Sequence, residues 1–348
     1  MVINIGIDEK RAREIYQEMN LQVRQDYSQE ALKIADSRVA EFENRLMPKM
    51  ESVEGALEAF TDPSFQLLLV EAQKTAASTE READYDLLSE LLIHRFQKGE
   101  NRIIRAGISR AVEIVDEISD DALLGLTTSH AVATFVPVTG DIHQGLDAID
   151  ELFGKIFCGQ LPIGNEWLDH LDILDAIRIN SFGNLKKLQE HYPEIMKGYV
   201  NVGIKKNTEN YINAKELITR NGLPEDVLVD HVLNTSFSRL NIFDKNQIDS
   251  LVIKQQIPHA TEKNFVHIPL SEEQKDALKS IYDLYNDDET IKQQNVVSFM
   301  EEWDKRPNLK NLREWWDNIS TSFQLTSVGK VLAHSNAQRC DKNLPPFN

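Results

Sequence analysis

The stretch FQLTSVGKVLAHSN, residues 323–336, changes its pattern halfway along its length. Its first residues alternate apolar and polar side chains, as a half-buried strand does. Apolar residues then recur at steps of three and four, as on one face of a helix, at Val328, Val331 and Leu332. Thr326 or Ser327 stands at the junction and suits a helix N-cap. The pattern predicts a strand over residues 321–325 that turns directly into a helix over residues 326–339.

Three helical patterns precede this stretch. LSEEQKDALKSIYDLY has Ser271 as its N-cap, and ETIKQQNVVSFMEEW and NLKNLREWWDNI follow it. The order of three helices, one strand and a closing helix resembles the winged-helix arrangement, and LTSVGK resembles the turn at its wing strand. We therefore expect a small winged-helix-like module over residues 271–348.

Helical spacing of apolar residues also dominates the rest of the chain, and alternating β-branched runs are scarce. The predicted fold class is mainly α, with multi-helical N-terminal and middle regions and the single strand described above. A new helix is expected to start at Ser28, and LPEDVLVDHVLN reads as a further short helix. The predicted divisions are an N-terminal helix or linker over residues 1–26, an all-helical domain over residues 27–135 and a middle helical region over residues 136–270.

Acidic residues outnumber basic residues in this chain of 348 residues. The 56 acidic and 38 basic side chains give a formal net charge of −18. Proteins that hold phosphate backbones over a broad surface are basic, so nucleic-acid binding of that kind is not expected. A soluble body, or a protein partner with a basic surface, fits this charge better.

The cysteines and the apolar stretches bear on location. Cys158 and Cys340 form no CxxC pair, which argues against a zinc ribbon or a disulfide framework. The start, MVINIGIDEKRAREI, lacks the pattern of a secretory signal, and Asp8 suits the N-cap of a first helix. Residues 122–140 lack charged side chains but contain threonines, a serine, a histidine and a proline, which favours a buried helix of a soluble protein. We expect a cytoplasmic protein with no membrane segment.

One histidine–aspartate pattern could carry chemistry. His143, Asp147 and Asp150 in DIHQGLDAIDE are spaced to lie along one side of a helix, where a metal ion or an acid/base pair could use them. WLDHLDILD adds further candidate ligands nearby in sequence, at Asp169, His170, Asp172 and Asp175. Manganese or iron would suit such a ligand set. The alternative is that both stretches are the solvated faces of amphipathic helices, because their apolar residues already account for both patterns.

The predicted third helix of the closing module occupies the position of a recognition helix. Lys310 and Arg313 could contact phosphates or guanine edges, although Glu314 and Asp317 leave the helix formally neutral. The adjacent tryptophans point about 100° apart, so one of them could be exposed while the other is core. Core packing, a protein interface and nucleic-acid contact all stay open for Trp315 and Trp316.

Familiar catalytic signatures are absent from the sequence. It contains no GxxxxGK[ST] loop, GxGxxG, GxSxG or HExxH motif, and no arginine at the spacing to histidine that a class of toxin ribonucleases uses. No catalytic, cofactor-binding or metal-ligating residue is assigned on this basis, and the reading leans away from an enzyme.

Several stretches together resemble an uncharacterised bacterial family of helical proteins named only by locus tags, the LPO/Vpar family. The stretches are GIDEKRAREI, YSQEALKIADSRVAEFENRLM, DPSFQLLLVEAQKTAA, DAIRINSFGNLKKLQEHYPEIMKGY and LTSVGKVLAHSNAQR. The resemblance covers nearly the whole chain and none of its motifs is catalytic. It implies a cytoplasmic helical protein with a role in defence, and no particular reaction.

These observations lead to three hypotheses about function. The first is a non-catalytic interaction or sensor protein of a bacterial anti-phage defence system, which associates with itself or with a protein partner from the same system. The second is a winged-helix DNA-binding regulator that acts through Lys310 and Arg313. The third is a metal-dependent enzyme of unfamiliar type that uses His143 and its neighbours.

Overall fold

The computed structural model describes residues 9–180, 182–256 and 265–347, with side chains described for 28–180, 182–253 and 268–347. It is mainly helical, as the sequence predicts. The α-helices are α1 (Glu9–Ser52), α2 (Pro63–Ser78), α3 (Glu82–Lys98), α4 (Arg102–Glu113), α5 (Asp120–Thr134), α6 (Ile142–Ile156), α7 (Glu166–Ile173), α8 (Leu188–Ile195), α9 (Lys197–Val200), α10 (Glu209–Arg220), α11 (Glu272–Tyr282), α12 (Glu289–Asp304), α13 (Pro307–Asp317) and α14 (Ser327–Cys340). The strands are β1 (Ile177–Asn180), β2 (Ile204–Lys205), β3 (Leu228–Asp230), β4 (Phe237–Leu240), β5 (Val252–Gln256), β6 (Phe265–Pro269) and β7 (Ser322–Leu325).

The chain forms two compact units, each assembled from separated segments. Over the described residues, unit 1 comprises residues 9–130, 166–178 and 324–347, and unit 2 comprises residues 131–165, 179–180, 182–256 and 265–323. The predicted boundaries at 26/27, 135/136 and 270/271 differ from this division. Residues 271–348, expected to form one module, contribute to both units.

Unit 1 is a helical assembly in which α1, α2, α3, α4 and α14 pack on one another. α1 packs on α2 and α3, while α14 lies against both α3 and α4. Its core is built from large apolar side chains of several helices, including Phe42, Phe65, Leu91, Ile108 and Leu332. Burial of these side chains is the main stabilising contribution that such a unit can draw on.

α14 begins as the sequence predicts. The Thr326 hydroxyl accepts a hydrogen bond from the Gly329 amide and caps the helix, which follows directly after β7. Gly329 is required by a close approach, because a Cβ atom there would lie 2.0 Å from the Ala176 carbonyl oxygen. The N-cap predicted at Ser271 is also present, and the structure shows that it forms a capping box with Gln274 as the reciprocal partner.

Unit 2 combines helices with small antiparallel sheets. β4 lies between β2 and β3, and Leu228 stands opposite Leu240 in the register. β5 and β6 form a separate antiparallel pair in which Val252 stands opposite Pro269. Side chains from α10, α11 and the sheet form one apolar core that contains Ile218, Leu240 and Ile281.

Several sequence expectations about local structure were wrong. No helix starts at Ser28, because α1 runs unbroken through that position and through Pro48. The short helix expected in LPEDVLVDHVLN is instead a 3-10 turn at Glu225–Val227 followed by β3, whose backbone pairs with β4. The expectation of a single strand also fails, since long-range pairing places β1 to β6 in segments without a clear alternating pattern. Asp8, the expected first N-cap, lies outside the described residues.

The last segment shows the expected element order, α11, α12, α13, β7 and α14. Within the described part of the chain, β7 pairs with β1, which is about 145 residues earlier in the chain. Among the helices that the structure describes, none combines the length and the apolar character needed to cross a membrane.

Candidate functional site

The acidic residues predicted on α6 lie along one side of that helix and contact the start of α13. Asp147 accepts a hydrogen bond from Arg306 Nε at 2.7 Å. Asp150 Oδ1 accepts from the backbone amides of Asn308 at 3.1 Å and Leu309 at 3.3 Å. The carboxylate of Asp150 therefore satisfies amide groups that the first turn of α13 leaves without a helical partner.

His143 and the second predicted stretch make other contacts. His143 is half exposed, with Nδ1 3.7 Å from Glu302 Oε2. His170 Nε2 accepts a hydrogen bond from the Ser119 amide at 3.2 Å, and Asp175 pairs with Arg178 at 2.7 Å. Residues 143–150 belong to unit 2 and residues 169–175 to unit 1. In the part of the chain that is described, no group of three or more His, Cys, Asp or Glu side chains is placed to hold a metal ion.

The basic residues and tryptophans of α13 are held by neighbours within unit 2. Arg313 donates to both carboxylate oxygens of Asp304, with Nε at 2.8 Å from Oδ1. The Lys310 ammonium is exposed and lies 3.9 Å from a Glu314 oxygen. The indole of Trp315 donates to the Pro162 carbonyl at 2.8 Å and that of Trp316 to the Lys186 carbonyl at 2.9 Å. Trp316 is buried and Trp315 half-buried, so both rings contribute to packing in this unit.

A different feature of unit 1 is an open groove of about 670 Å³ between α2 and α4, with one wall from each helix. The α2 wall includes Leu67, Val70, Glu71 and Lys74, which have the i, i+3, i+4, i+7 spacing of one helix face, together with Ser64 and Leu68. The α4 wall has the same kind of spacing and consists of Arg102, Arg105, Ala106, Ser109 and Glu113. The opposite faces of both helices point into the core, and the Thr75 hydroxyl donates to the Val112 carbonyl at 3.1 Å. We call this feature the α2–α4 groove.

Arg95 of α3 also lines the α2–α4 groove, although its side chain is only 7% exposed. Its Nη2 donates to the Ser64 hydroxyl at 2.7 Å, and that hydroxyl donates in turn to Asp62 at 2.5 Å. Its Nη1 sits where a Cβ of residue 99 would lie, at 2.1 Å, so the absence of a side chain on Gly99 makes room for the guanidinium. Among the described residues, Nε and Nη1 of Arg95 have no hydrogen-bond acceptor.

Charges in the groove are unevenly compensated. Lys74 pairs with Glu71 at 2.8 Å, and Glu113 pairs with Arg110 at 2.9 Å. Arg95, Arg102 and Arg105 form no ion pair with any described side chain. Burial lowers the pKa of Arg95, the positive charge of Arg105 lowers it further, and Asp62 acts in the opposite direction. The groove thus carries positive charge that the described side chains of the unit leave largely unmatched.

Exposed apolar side chains stand beside these arginines. Leu67 is 72% exposed, Val70 46% and Ile103 69%. No histidine or cysteine is among the residues that line the groove. The combination suits binding of a ligand that is both anionic and apolar.

Sequence reasoning used α4 only for its apolar face and missed the arginines opposite. A signal was present, because neither Arg102 nor Arg105 has an acidic residue three or four positions away. Arg95 and the α2 face lie near these arginines only in the folded chain, and no local sequence pattern indicates this.

A family model described as ":-like" matches residues 6–345, nearly the whole chain. No curated protein and no solved structure matches.

Proposed function

We propose that this protein, which belongs to the family described as ":-like", is a non-catalytic interaction module. Its α2–α4 groove receives an acidic segment of a protein partner. The observation that carries the proposal is the set of three arginines, Arg95, Arg102 and Arg105, without an ion-pair partner among the described side chains.

The energetics favour an anionic occupant. Arg95 has lost most of its hydration on burial, and its guanidinium still presents donors that lack an acceptor in the described part of the chain. A carboxylate placed against a guanidinium forms charge-assisted, often bidentate, hydrogen bonds. Such complementarity determines which partners bind and how fast they associate.

The rim of the groove favours a protein segment over a nucleic acid. Leu67 and Val70 offer apolar surface that a phosphate backbone would not cover. The net charge of −18 would also repel a long polyanion, whereas a short acidic segment meets the groove locally. An amphipathic helix with acidic residues on one flank and leucines on the other matches both features.

Binding of a defined probe tests this proposal. The probe is a fluorescein-labelled helical peptide of about 20 residues with glutamates along one flank and leucines along its apolar face, measured by anisotropy at two salt concentrations. We expect R102E/R105E to weaken binding about tenfold or more, which is about 1.4 kcal/mol.

The matched control is K305E/K310E, which changes the net charge equally but alters exposed lysines in unit 2. Equal affinities for the two variants would overturn the proposal. If the acidic segment belongs to a second copy of this chain, light scattering will show concentration-dependent association that R102E/R105E abolishes.

The resemblance to the LPO/Vpar family supports a cytoplasmic bacterial protein and a partner in a defence system. Co-purification of the wild type and R102E/R105E with the products of neighbouring genes tests this extension. If the wild type and R102E/R105E retain a partner equally, that partner does not bind through the α2–α4 groove.

A second candidate, DNA binding by a winged-helix-like module, is supported by the element order of residues 271–348. The pairing of Arg313 with Asp304 counts against it, because a base contact would have to break that pair. If this second candidate is right, Arg313→Ala should weaken specific binding to the promoter region of the protein's own gene by about 1–3 kcal/mol. Absence of specific binding by the wild type would remove this candidate.

A further inference from the structure

Three histidines from three helices meet inside unit 1, away from the α2–α4 groove. His94 of α3 is 2% exposed, His130 of α5 is 5% exposed and His334 of α14 is 2% exposed. The ring centroids of His94 and His130 lie 5.7 and 5.3 Å from that of His334. The proposed function does not use this cluster.

Hydrogen bonds define where the protons sit. His334 Nε2 lies 3.0 Å from the Pro345 carbonyl oxygen, which can only accept, so this nitrogen carries the proton. In the neutral ring, Nδ1 of His334 is then an acceptor for His130 Nε2 at 3.1 Å. The second His334 nitrogen would need a proton of its own only if the ring became charged.

His94 is tied to the same region through Gln338. The Gln338 amide nitrogen donates to the Pro345 carbonyl at 3.0 Å, which leaves its Oε1 to accept from His94 Nε2 at 2.6 Å. His94 Nδ1 therefore accepts from the Ser335 hydroxyl at 2.9 Å. Both neutral rings have a defined tautomer, and both connect directly or through Gln338 to one carbonyl group.

That carbonyl belongs to residues 341–347, which follow α14 and which we call the strap. Phe347 of the strap packs its ring against His334 at 5.1 Å and His94 at 6.1 Å between centroids. Leu344 and Pro346 form part of the wall of a cavity of about 270 Å³ that also contacts Lys49, Glu90 and His94. The strap therefore packs over His94 and His334 and forms one wall of this partly open cavity.

We propose that the strap is an acid-released latch, in which protonation of the histidine cluster favours a form where Pro345 of the strap has left His334 and the strap no longer walls the cavity. A proton added to His334 would place a hydrogen on Nδ1. His334 Nδ1 lies 3.1 Å from His130 Nε2, so the new hydrogen would point at the one that His130 Nε2 already carries. His130 could avoid this clash by moving its proton from Nε2 to Nδ1. The positive charge of His334 would then still be buried among neutral rings. Such a charge is stabilised by water, which the strap excludes.

Among the described residues that act on the pKa of His94, one is negative. The charge of Glu90, on the same helix α3, raises the pKa of His94, but Glu90 is itself paired with Lys49 of α1 at 2.9 Å. The other charged groups that face the histidines, on α3 and α14, are the positive Lys98 and Lys330. Lys342 of the strap lines the same cavity.

The direction of the pH effect follows from the same burial. Burial lowers the pKa of His130 to about 3 and that of His334 to about 4, and it also lowers the pKa of His94, whereas the hydrogen bond to the Pro345 carbonyl acts in the opposite direction at His334. A histidine exposed by strap release would titrate near its ordinary pKa of about 6.5. The closed form is therefore fully favoured above about pH 6.5 and loses stability relative to the open form as the pH falls toward the closed-state values.

Hydrogen exchange of the full chain, corrected for intrinsic rates, tests the latch. Between pH 7.5 and 5.0 we expect protection of strap amides to fall about 30-fold for each histidine that release exposes. Amides of α2 and α3 should keep their protection at pH 5.0. Simultaneous loss of protection across these helices would show unfolding of the unit and would overturn the latch.

His334→Gln is the informative variant, because an amide can still donate to Pro345 but cannot titrate. We expect it to reduce the pH dependence of strap protection by about 30-fold, whereas H143Q, at an exposed histidine of unit 2, should leave it unchanged. Should H334Q not fold, wild-type histidine proton resonances serve instead, and their titration must share its midpoint with strap exposure. Unequal midpoints, or equal pH dependence in wild type and H334Q, would reject the proposal.

Discussion

At the scale of single residues, Asp150 shows how a candidate ligand can have a structural use. Its carboxylate caps the first turn of α13, so Asp150→Ala should lower the free energy of unfolding by about 1 kcal/mol. Asp150→Asn should retain most of that stability, because asparagine is an equally good cap. Urea denaturation of the purified variants measures both effects.

The matched control for Asp150 is Glu301→Ala, an exposed acidic residue of α12, for which little change is expected. Asp150→Asn also tests the metal hypothesis. If Asp150 is a metal ligand, added manganese should raise the melting temperature of the wild type and not that of Asp150→Asn. If melting is unaffected by manganese or chelator in every form, the metal hypothesis is lost.

At the scale of elements, the start of α14 depends on one close contact. A Cβ at residue 329 would meet the Ala176 carbonyl oxygen at 2.0 Å, and a backbone atom cannot move aside as a flexible side chain can. Gly329→Ala should therefore destabilise unit 1 by about 1–3 kcal/mol, although alanine is the better helix former. Thermal unfolding monitored by circular dichroism measures the change.

Gly154→Ala on α6 is the corresponding control. Residue 154 is exposed, and the nearest atom to a new Cβ is the amide nitrogen of Asn308 at 2.9 Å, the far end of a movable side chain. Here the gain in helix propensity should dominate or nearly cancel the contact. Gly329→Ala as stable as Gly154→Ala would contradict the close packing described for α14.

At the scale of the whole molecule, residues 271–348 should not fold alone. α11, α12 and α13 take their partners from unit 2, while α14 packs on α3 and α4 of unit 1. The isolated fragment would leave both sets of apolar faces exposed, so we expect no cooperative thermal transition and poorly dispersed amide resonances. A cooperatively folded fragment would instead support an autonomous winged-helix-like module.

Part of the fold and little of the candidate site could be predicted from the sequence. The helical class, the N-cap at Ser271 and the strand-to-helix transition at Thr326 depend on residues a few positions apart, so local patterns suffice to predict them. The strands of unit 2 could not be predicted in this way, because β3 and β4 gain their stability from each other and from the packed core rather than from an alternating pattern of their own.

The sequence by itself determined that this protein is mainly helical, strongly acidic and without familiar catalytic motifs. Only the tertiary structure decided what its charged and titratable residues do. Asp147 and Asp150 hold α13, Arg95 joins Arg102 and Arg105 at one groove, and the histidines at positions 94, 130 and 334 meet beneath one strap. The physical reason is that capping and periodicity act within a turn or two of helix, whereas desolvation and pairing of charges depend on neighbours brought together from distant parts of the chain.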